Sequence, residues 1–394
     1  MKKLRVFWLI ILTSVVFISC NNLTSYSKEG LVREKVKIPA PMEIVQEVAG
    51  KGFVKEDRTV LDVKLDLNKN FQDRKIIYTG EVSIEVKSCK DSISKIDDIV
   101  KDKKVDLIHI HGVWMYPQFI AAKFAIKQKI PFIVTPHGMY EPWLWTKGRF
   151  KKKLYLNILT KRLFSKASRI HAITEGEKFN LKQIFSKSKV IEIPNLLSFD
   201  NINYDSKNHA EERYILFLGR FHEVKGINML IKSFSELVIE GNNVVLKIAG
   251  GFNDYKLVLD KLVDDLGLKN KVEFLGMVKG EDKFKLYQDA FVFVAPSHSE
   301  VVGMVNLEAA SQKTPVITTY QTGLKKEWNK KGGVLINPNQ EELTFALKKV
   351  LSWSQEERDE NGEKLYNFVK ENYSWESKVK DWINCYSSVI EENR

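Results

Sequence analysis

Cysteine is scarce in this chain, which has only Cys20, Cys89 and Cys385 among 394 residues. Their scattered positions match neither a zinc knuckle nor a disulfide framework, so a reducing compartment is the simpler interpretation. Long apolar runs are scarce as well. The run near the N-terminus, residues 6–18, has thirteen residues, whereas a helix that spans a bilayer needs about 20. An ordinary transmembrane helix is therefore excluded there.

The same N-terminal run has two interpretations. A basic segment precedes it, and Phe17-Ile18-Ser19-Cys20 resembles a bacterial lipoprotein cleavage box, so residues 1–20 could be a signal peptide. An unbroken apolar run is also typical of a buried parallel β-strand. Both interpretations stay open at this stage.

Length and composition indicate a soluble globular protein of two domains. The chain is too long for one core, and its 44% hydrophobic and 28% charged residues are ordinary for such proteins. Its net charge of +12 makes an anionic partner plausible.

Short apolar segments that end in turn residues alternate with helical patterns along most of the chain. This alternation is typical of a parallel α/β sheet. Residues 43–48 before it are spaced as in a helix, and short strands are expected around Val60 and over 76–78 and 82–86. The alternation itself predicts strands over 105–110, 131–135, 170–173, 189–193, 214–218, 244–248, 272–274, 290–295 and 315–318, and helices over 119–129 and 227–239.

A polar stretch without periodicity, residues 199–212, divides the two series of strands and is predicted to be a linker. The sequence therefore predicts an α/β protein of two tandem, doubly wound, Rossmann-like domains, over residues 1–198 and 213–372. An amphipathic helix over 373–394 is expected to pack back on the first domain.

A glycine and two cations follow the strand predicted over 214–218. Gly219 permits close backbone approach, and Arg220 and Lys225 would place positive charges beside a helix N-terminus, where anions are already favoured. This arrangement suits a phosphate group, although such a turn is often only a solvated loop.

Two glutamates bracket the helix start that follows the strand over 290–295. Glu300 lies in the loop, and Glu308 lies within the helix. Backbone amides around Val302, Gly303 and Met304 are expected to be free for a diphosphate. Ionised carboxylates are strong acceptors for sugar hydroxyls, but glutamates near a helix start are also common on dipole grounds.

Several separated motifs occur together in one order. They are His111-Gly112-Val113-Trp114, Thr135-Pro136-His137-Gly138-Met139, Ile193-Pro194-Asn195, Gly219-Arg220 with Lys225-Gly226, and Glu300 with Glu308 ahead of Ala309-Ala310. The set resembles glycosyltransferase family 4, which comprises retaining enzymes of the GT-B type, from about residue 105 to the C-terminus. The resemblance implies two domains facing a central cleft and transfer of a sugar from a nucleotide diphosphate sugar.

The resemblance also implies a role for each motif residue. Arg220 and Lys225 would hold the donor diphosphate and stabilise the leaving group. Glu300 would bind hydroxyls of the transferred sugar, Glu308 the ribose, and His137 the transferred sugar from across the cleft. The catalytic set is then His137, Glu300, Arg220 and Lys225, and the donor-binding set adds Gly219, Val302, Gly303, Met304 and Glu308.

The family's reaction keeps the anomeric configuration and needs no bound metal, so no cofactor is expected. This chain departs from the family at two points: only Gly30 follows Asn21-Asn22 where the family has a glycine-rich loop after its first strand, and Val301-Val302-Gly303 stands where the family usually has Gly-Phe-Gly. The backbone geometry or the choice of donor is expected to differ there.

Positive charge is concentrated in residues 147–169, which hold nine basic residues and no acidic one. A basic amphipathic helix favours an anionic membrane surface, whereas an ordinary helix would explain the interleaved apolar residues but not the missing acids. Nucleic acid is not expected, because no reading motif accompanies the patch. Acceptor or membrane contacts, with a lipid-linked or saccharide acceptor, are expected from His111, Trp114, Trp143, Lys151, Lys152 and Lys153.

The donor that the resemblance implies is found in the cytoplasm. This favours the strand over the lipoprotein signal, and a cytoplasmic or peripheral inner-membrane enzyme of cell-surface polysaccharide or glycolipid synthesis. Two alternatives remain: a nucleotide-sugar epimerase or phosphorylase on the same fold, and a non-catalytic, membrane-anchored binding protein.

Overall fold

The computed structural model describes residues 45–55, 58–67, 105–114, 116–145, 149–199 and 213–393, the first two ranges for the backbone only. The chain divides into two compact units, formed by residues 1–193 with 379–394 and by residues 194–378. The strand or signal at residues 1–20, the strands over 76–78 and 82–86, and the predicted linker beyond Phe199 lie outside the described residues.

Two antiparallel strands, β1 (Val45–Lys55) and β2 (Arg58–Leu67), come first in the chain. The strand expected around Val60 is confirmed by β2. The helix predicted over 43–48 is wrong, because residues 45–55 pair with β2 along their length. A six-residue window is too short to separate the two periods, and the valines in it favour a strand.

A four-stranded parallel sheet in the order β3-β4-β5-β6 forms the centre of the first unit. The strands and helices predicted between residues 105 and 193 are confirmed with small shifts of their ends. A 3₁₀ turn (Pro142–Trp145) precedes α2, and a π turn (Leu156–Thr160) separates α2 from α3. The elements are β3 (Ile108–His111), α1 (Tyr116–Gln128), β4 (Phe132–Thr135), α2 (Arg149–Tyr155), α3 (Lys161–Phe164), β5 (Arg169–Ala172), α4 (Glu175–Ile184) and β6 (Val190–Glu192).

A six-stranded parallel sheet in the order β12-β11-β10-β7-β8-β9 forms the centre of the second unit. The chain runs outward in one direction from β7 and in the other from β10. The switch point between β7 and β10 is where open α/β sheets bind ligands, at the carboxyl ends of the strands. The strands are β7 (Tyr214–Leu218), β8 (Val245–Ala249), β9 (Val272–Gly276), β10 (Val292–Ala295), β11 (Val316–Thr319) and β12 (Val334–Ile336).

The helices of the second unit pack on both buried faces of this sheet, where two hydrophobic clusters form its core. The helix predicted over 227–239 is confirmed, and Phe199, at the start of the predicted linker, is buried in the second cluster. The helices are α5 (Ile227–Ile239), α6 (Tyr255–Asp265), α7 (Gly280–Asp289), α8 (Met304–Ser311), α9 (Gln340–Leu351) and α10 (Gln355–Tyr373).

The last helix, α11 (Trp375–Glu392), belongs to the first unit from Val379 onward. Its end is fastened to β5, because both terminal guanidinium nitrogens of Arg169 donate to the Glu392 carboxylate, at 3.0 and 2.5 Å. Lys189 pairs with the same carboxylate at 2.9 Å. Among the helices of the described ranges, none combines the length and the apolar character that crossing a membrane requires.

Candidate active site

The ends of β7 and β8 approach each other closely in the second unit. A Cβ atom on Gly250 would lie 2.1 Å from the Gly219 carbonyl oxygen, and the Gly219 N–H donates to the Ala249 carbonyl at 3.0 Å. Only glycine fits at position 250 with this backbone path. The next residue after Gly219, Arg220, is exposed, so its guanidinium faces solvent at the carboxyl edge of the sheet.

The loops after β7 and β10 are in direct contact at the switch point. Gly226 has a φ of +68°, and a Cβ there would lie 2.2 Å from the Pro296 carbonyl oxygen. The His298 N–H donates to the Val224 carbonyl at 2.8 Å. The two motifs that the sequence pointed to are therefore brought together, although they are far apart along the chain.

An ion pair joins these two loops. Lys225 Nζ lies 2.9 Å from Glu300 Oε1, and the side chains are 20% and 12% exposed. The Ser297 hydroxyl donates to the same oxygen, and the Glu300 N–H donates to the Gln321 carbonyl at 2.9 Å. Glu300 Oε2 lies 3.5 Å from the position that a Cβ on Gly303 would take. A Cβ at residue 303 would only touch this carboxylate, but it would lie 2.3 Å from Asn306 Nδ2, so glycine is required by Asn306.

The amides at the start of α8 differ from the expectation that they are free. The Gly303 N–H donates to the Thr322 carbonyl at 3.2 Å, and the Met304 N–H donates to the Val302 carbonyl at 3.0 Å. Two of the three expected donors are already engaged within the chain: Gly303 bonds to the turn after β11, and Met304 bonds within the loop itself. The chain therefore offers a diphosphate fewer amides there than its sequence suggested.

Both oxygens of Glu308 are held by residues of α7. Lys283 Nζ lies 3.0 Å from Oε1, and the Tyr287 hydroxyl donates to Oε2 at 3.1 Å. Burial, followed by the Glu308 charge, raises the pKa of Tyr287 well above its usual value, so the hydroxyl keeps its proton. Sequence reasoning missed Lys283 and Tyr287; their helical i, i+4 spacing was the available signal.

A hydrogen-bonded histidine pair lies at the carboxyl ends of β3 and β4 in the first unit. His137 has a left-handed φ of +53°, which is uncommon for a residue other than glycine. Its Nε2 lies 2.8 Å from His111 Nδ1. Burial lowers the pKa of His137. Surrounding protein atoms and then His137 lower the pKa of His111 to about 4, although its surface is exposed. Both imidazoles are therefore neutral near pH 7.

A buried carboxylate holds the turn that carries His137. Glu177 is 2% exposed; its Oε1 accepts the Gly138 N–H at 2.5 Å and its Oε2 accepts the Ile173 N–H at 2.8 Å. Burial raises the pKa of Glu177 to about 7, against the lowering effect of these two N–H groups. Sequence reasoning missed this residue. Thr174 caps α4, so Thr174-x-x-Glu177 was a visible helix-start pattern.

The residues expected to contact an acceptor or a membrane differ in their surroundings: some are engaged within the chain and others are exposed. Trp114 Nε1 donates to the Met139 carbonyl at 3.1 Å, and its ring packs against Trp145. Trp143 is 40% exposed. In the basic segment, Lys151 and Lys153 are exposed, whereas Lys152 Nζ donates to the Leu144 carbonyl at 2.5 Å.

Histidine, cysteine and carboxylate side chains do not form a metal-ligand cluster in the described ranges, where no group of three or more could hold an ion.

Two family models cover most of the described chain. The model for glycosyl transferases group 1 matches residues 199–368, and the model for glycosyltransferase family 4 matches residues 90–200. An uncharacterized glycosyltransferase of Methanocaldococcus jannaschii is 30% identical over 316 residues, which are 73% of this chain and 76% of that protein.

A second relative is also similar in sequence, and a solved structure is similar in fold. The alpha-monoglucosyldiacylglycerol synthase of Streptococcus pneumoniae is 23% identical over 77% of this chain and 69% of its own length. The crystal structure of Anabaena HepE in complex with UDP has a TM-score of 0.62 at 18% identity, and covers 75% of this chain and 82% of that one.

These likenesses and the two parallel-sheet units define a glycosyltransferase of the GT-B fold, an enzyme of the class that transfers sugars. Within that class, the chain belongs to glycosyltransferase family 4. The predicted fold class, family and enzyme class are thereby confirmed.

Proposed function

We propose that this enzyme transfers a glycosyl group from a nucleotide diphosphate sugar to an acceptor at an anionic membrane surface, with retention of the anomeric configuration. The observation that carries the donor assignment is the Lys225–Glu300 pair at the switch point between β7 and β10. A cation and a carboxylate fixed side by side there suit a ligand that carries both phosphate and hydroxyl groups.

The phosphate end of the donor is assigned to the loop after β7. Arg220 and Lys225 supply two positive charges beside backbone that approaches closely at Gly219. When the bond to the sugar breaks, negative charge develops on the departing diphosphate, and fixed cations stabilise it without reorganisation. In this proposal the chain's own cations do the work that a divalent ion does in metal-dependent enzymes, so no resident metal is required.

The sugar and ribose are assigned to the two glutamates and to His137. Glu300 accepts hydroxyls of the transferred sugar, and Glu308, oriented by Lys283 and Tyr287, accepts those of the ribose. Nε2 of neutral His137 is engaged by His111, so in this proposal its other ring nitrogen, Nδ1, forms one hydrogen bond with a sugar hydroxyl. Anabaena HepE, a structural neighbour, was crystallised with UDP, which supports a uridine nucleotide as the first candidate.

The acceptor side of the proposal depends on α2 and the segment after it. Phe150 is 80% exposed between the exposed Arg149 and Lys151, and Ile158 is 39% exposed and precedes the exposed Lys161. Apolar side chains among cations bind an anionic bilayer through both burial and charge. A relative that the comparisons found is named as a glycolipid synthase, which supports a lipid-linked acceptor in cell-surface glycolipid or polysaccharide synthesis.

A ligand panel tests the donor assignment. The purified chain is screened by thermal shift against UDP, GDP and ADP and their sugars, because a ligand that binds the native state raises the melting temperature. One nucleotide should stabilise the chain with EDTA present as strongly as without it. Loss of that stabilisation in EDTA would refute metal independence, and no stabilisation by any nucleotide would refute the donor assignment.

Product analysis with the stabilising donor then tests the reaction. Transfer to a lipid extract should give a product in which the transferred sugar has the same anomeric configuration, α or β, as it has in the donor. An epimerised free donor, or release that requires phosphate, would replace transfer by the alternative chemistries.

Vesicle co-sedimentation tests the membrane part. Binding to vesicles with anionic lipid should exceed binding to neutral vesicles, and Phe150→Asp should reduce it. Phe179→Asp is the matched control, since Phe179 is 65% exposed on α4, which lies outside the basic segment of residues 147–169 in the sequence. Equal binding by both variants would exclude α2 as the contact.

A further inference from the structure

Four histidines gather in the sheet of the first unit, under the C-terminal helix α11. The Trp382 ring centroid lies 4.5 Å from that of His171 and 5.3 Å from that of His109, and Tyr386 lies 5.8 Å from His109. The cluster is formed by His109 and His111 of β3, His171 of β5 and His137 of the turn after β4. Sequence reasoning pointed to His111 and His137 but gave the other two no role.

The direction of the hydrogen bonds in this cluster is fixed at one end by a carbonyl. His171 Nε2 lies 2.8 Å from the Ile193 carbonyl oxygen, which only accepts, so Nε2 carries a proton. Burial lowers the pKa of His171 to about 4, so near pH 7 the ring is neutral and Nδ1 is bare. Thr135 Oγ1 lies 2.8 Å from this Nδ1. The Thr135 hydroxyl must therefore donate to His171.

The same logic determines the next ring. The single proton of Thr135 is used on His171, so His109 Nε2, which lies 2.7 Å from Thr135 Oγ1, must donate to it. Burial, and then the neighbouring histidines, lower the pKa of His109 well below its usual value. Its Nδ1 is therefore bare and accepts the Tyr386 hydroxyl at 2.9 Å. Each group in this series therefore donates to the next, from Tyr386 through His109, Thr135 and His171 to the Ile193 carbonyl.

This series of hydrogen bonds is linked to the His111–His137 pair by a contact between the rings of His109 and His111. The His109 and His111 centroids are 4.2 Å apart with planes at 34°, and His111 Nδ1 lies 2.8 Å from His137 Nε2. A turn of the His109 ring by half a rotation would put ring carbons where both nitrogens now lie, and both hydrogen bonds would be lost. His109 thus has one satisfied orientation, and it presents one fixed face to His111.

We propose that Tyr386 and Thr135 are positioning residues, which fix the orientation of His137 through His109 and His111. Tyr386 bonds to His109, and Thr135 bonds to His109 and His171, so in this proposal both act through the rings between them and His137. The proposal rests on the function proposed for His137, and it gives α11 a role in the sugar site beyond core packing.

Side-chain ¹⁵N NMR of the full chain, labelled on histidine and assigned with single His→Gln variants, tests the direction of the chain without any substrate. Protonated and bare ring nitrogens resonate in separate ranges. Near neutral pH, His109 and His171 should both be uncharged, with the proton on Nε2. A proton on Nδ1 of either ring would overturn the proposal.

Variants test the positioning itself. Tyr386→Phe should shift the resonances of His109, His111 and His137, whereas Ser388→Ala, which removes a hydroxyl that bonds only to Cys385 O within α11, should shift none. Thr135→Val should disturb the same three rings, and Thr135→Ser should restore them, which keeps the test decisive if Tyr386→Phe does not fold. Unchanged His111 and His137 resonances in Tyr386→Phe, or in Thr135→Val, would overturn the proposal. Because no activity is measured, a chain with the expected spectra but no transfer would refute the proposed function alone.

Discussion

The two units carry their candidate residues in opposite electrostatic states. In the second unit, lysines pair with Glu300 and Glu308 through side chains that are 12–22% exposed. In the first unit, burial lowers the pKa of all four clustered histidines and leaves them uncharged near pH 7. A diphosphate is bound by fixed charge, whereas sugar hydroxyls need one donor and one acceptor in fixed directions. The lysines of the second unit therefore suit a phosphate group, and the neutral histidines of the first unit suit hydroxyl groups.

The largest effect is expected from removing the central cation of the charged unit. Lys225→Ala deletes the charge that faces the donor phosphate, and leaves Glu300 with Ser297 alone as a described partner. Transfer should fall by about 100-fold or more, with little change in melting temperature. Lys269→Ala, which breaks an exposed pair with Asp264, is the control for loss of a lysine. Equal rates in the two variants would contradict the site assignment.

The contact between the two loops of the charged unit should break next. Gly226→Ala places a Cβ 2.2 Å from the Pro296 carbonyl oxygen at a φ of +68°, whereas Gly241→Ala, at a φ of +85°, meets no atom within 4 Å. Gly241→Ala should cost only the backbone strain, about 1 kcal/mol. Gly226→Ala should cost more in urea unfolding and should also weaken nucleotide binding. Equal losses would mean that the loops are not in contact.

Two buried groups of the first unit should make the free energy of unfolding depend on pH. The pKa of His171 falls from 6.5 to about 4 on folding, so between these values the unfolded chain binds more protons and stability drops as pH falls. The pKa of Glu177 rises from 4.5 to about 7, so the native chain binds more protons there and stability drops as pH rises. Each group contributes at most about 1.4 kcal/mol per pH unit, and the two oppose each other.

Glu177→Gln separates these two groups. It removes the Glu177 contribution, which lowers stability as pH rises. The free energy of unfolding measured in urea between about pH 5 and 7 should therefore rise more steeply with pH than in the wild type. It also turns an amide NH₂ toward one of two backbone N–H donors, so overall stability should fall. Glu175→Gln, on the exposed face of the same helix, should leave the slope unchanged. Parallel curves for Glu177→Gln and the wild type would contradict the assignment.

The fold was predictable wherever apolar periodicity repeats over enough residues. The helix over 227–239 and the strand over 214–218 match their predicted ends. β12 was not predicted, because three residues carry no period. The helix predicted over 43–48 failed for the same reason.

The candidate site was predictable only where its chemistry is local in sequence. Gly219, Arg220 and Lys225 lie within one turn and signal an anion site on their own. Glu177 and Tyr386 act on partners 39 and 277 residues away, and no local pattern encodes such a distance. The engaged amide of Gly303 likewise follows from the turn after β11, which the motif does not contain.

The smallest effect is expected at the far end of α11, where the neutral unit does use charge. Arg169 and then Lys189 lower the pKa of Glu392 to about 2, so this ion pair stabilises the chain above pH 4.5 and is lost as pH falls toward 2. The Glu392 side chain is 42% exposed, so salt screens the pair. Glu392→Gln keeps an oxygen for Arg169 and should lower the melting temperature slightly, and less so at high salt. Glu391→Gln should change nothing.

The Glu392 charge lies at the end of α11, whereas the side chains that contact the histidines lie near its middle. Glu392→Gln should therefore leave the histidine ¹⁵N resonances unchanged. Shifts as large as those of Tyr386→Phe would mean that charge, rather than the neutral chain, sets the position of α11.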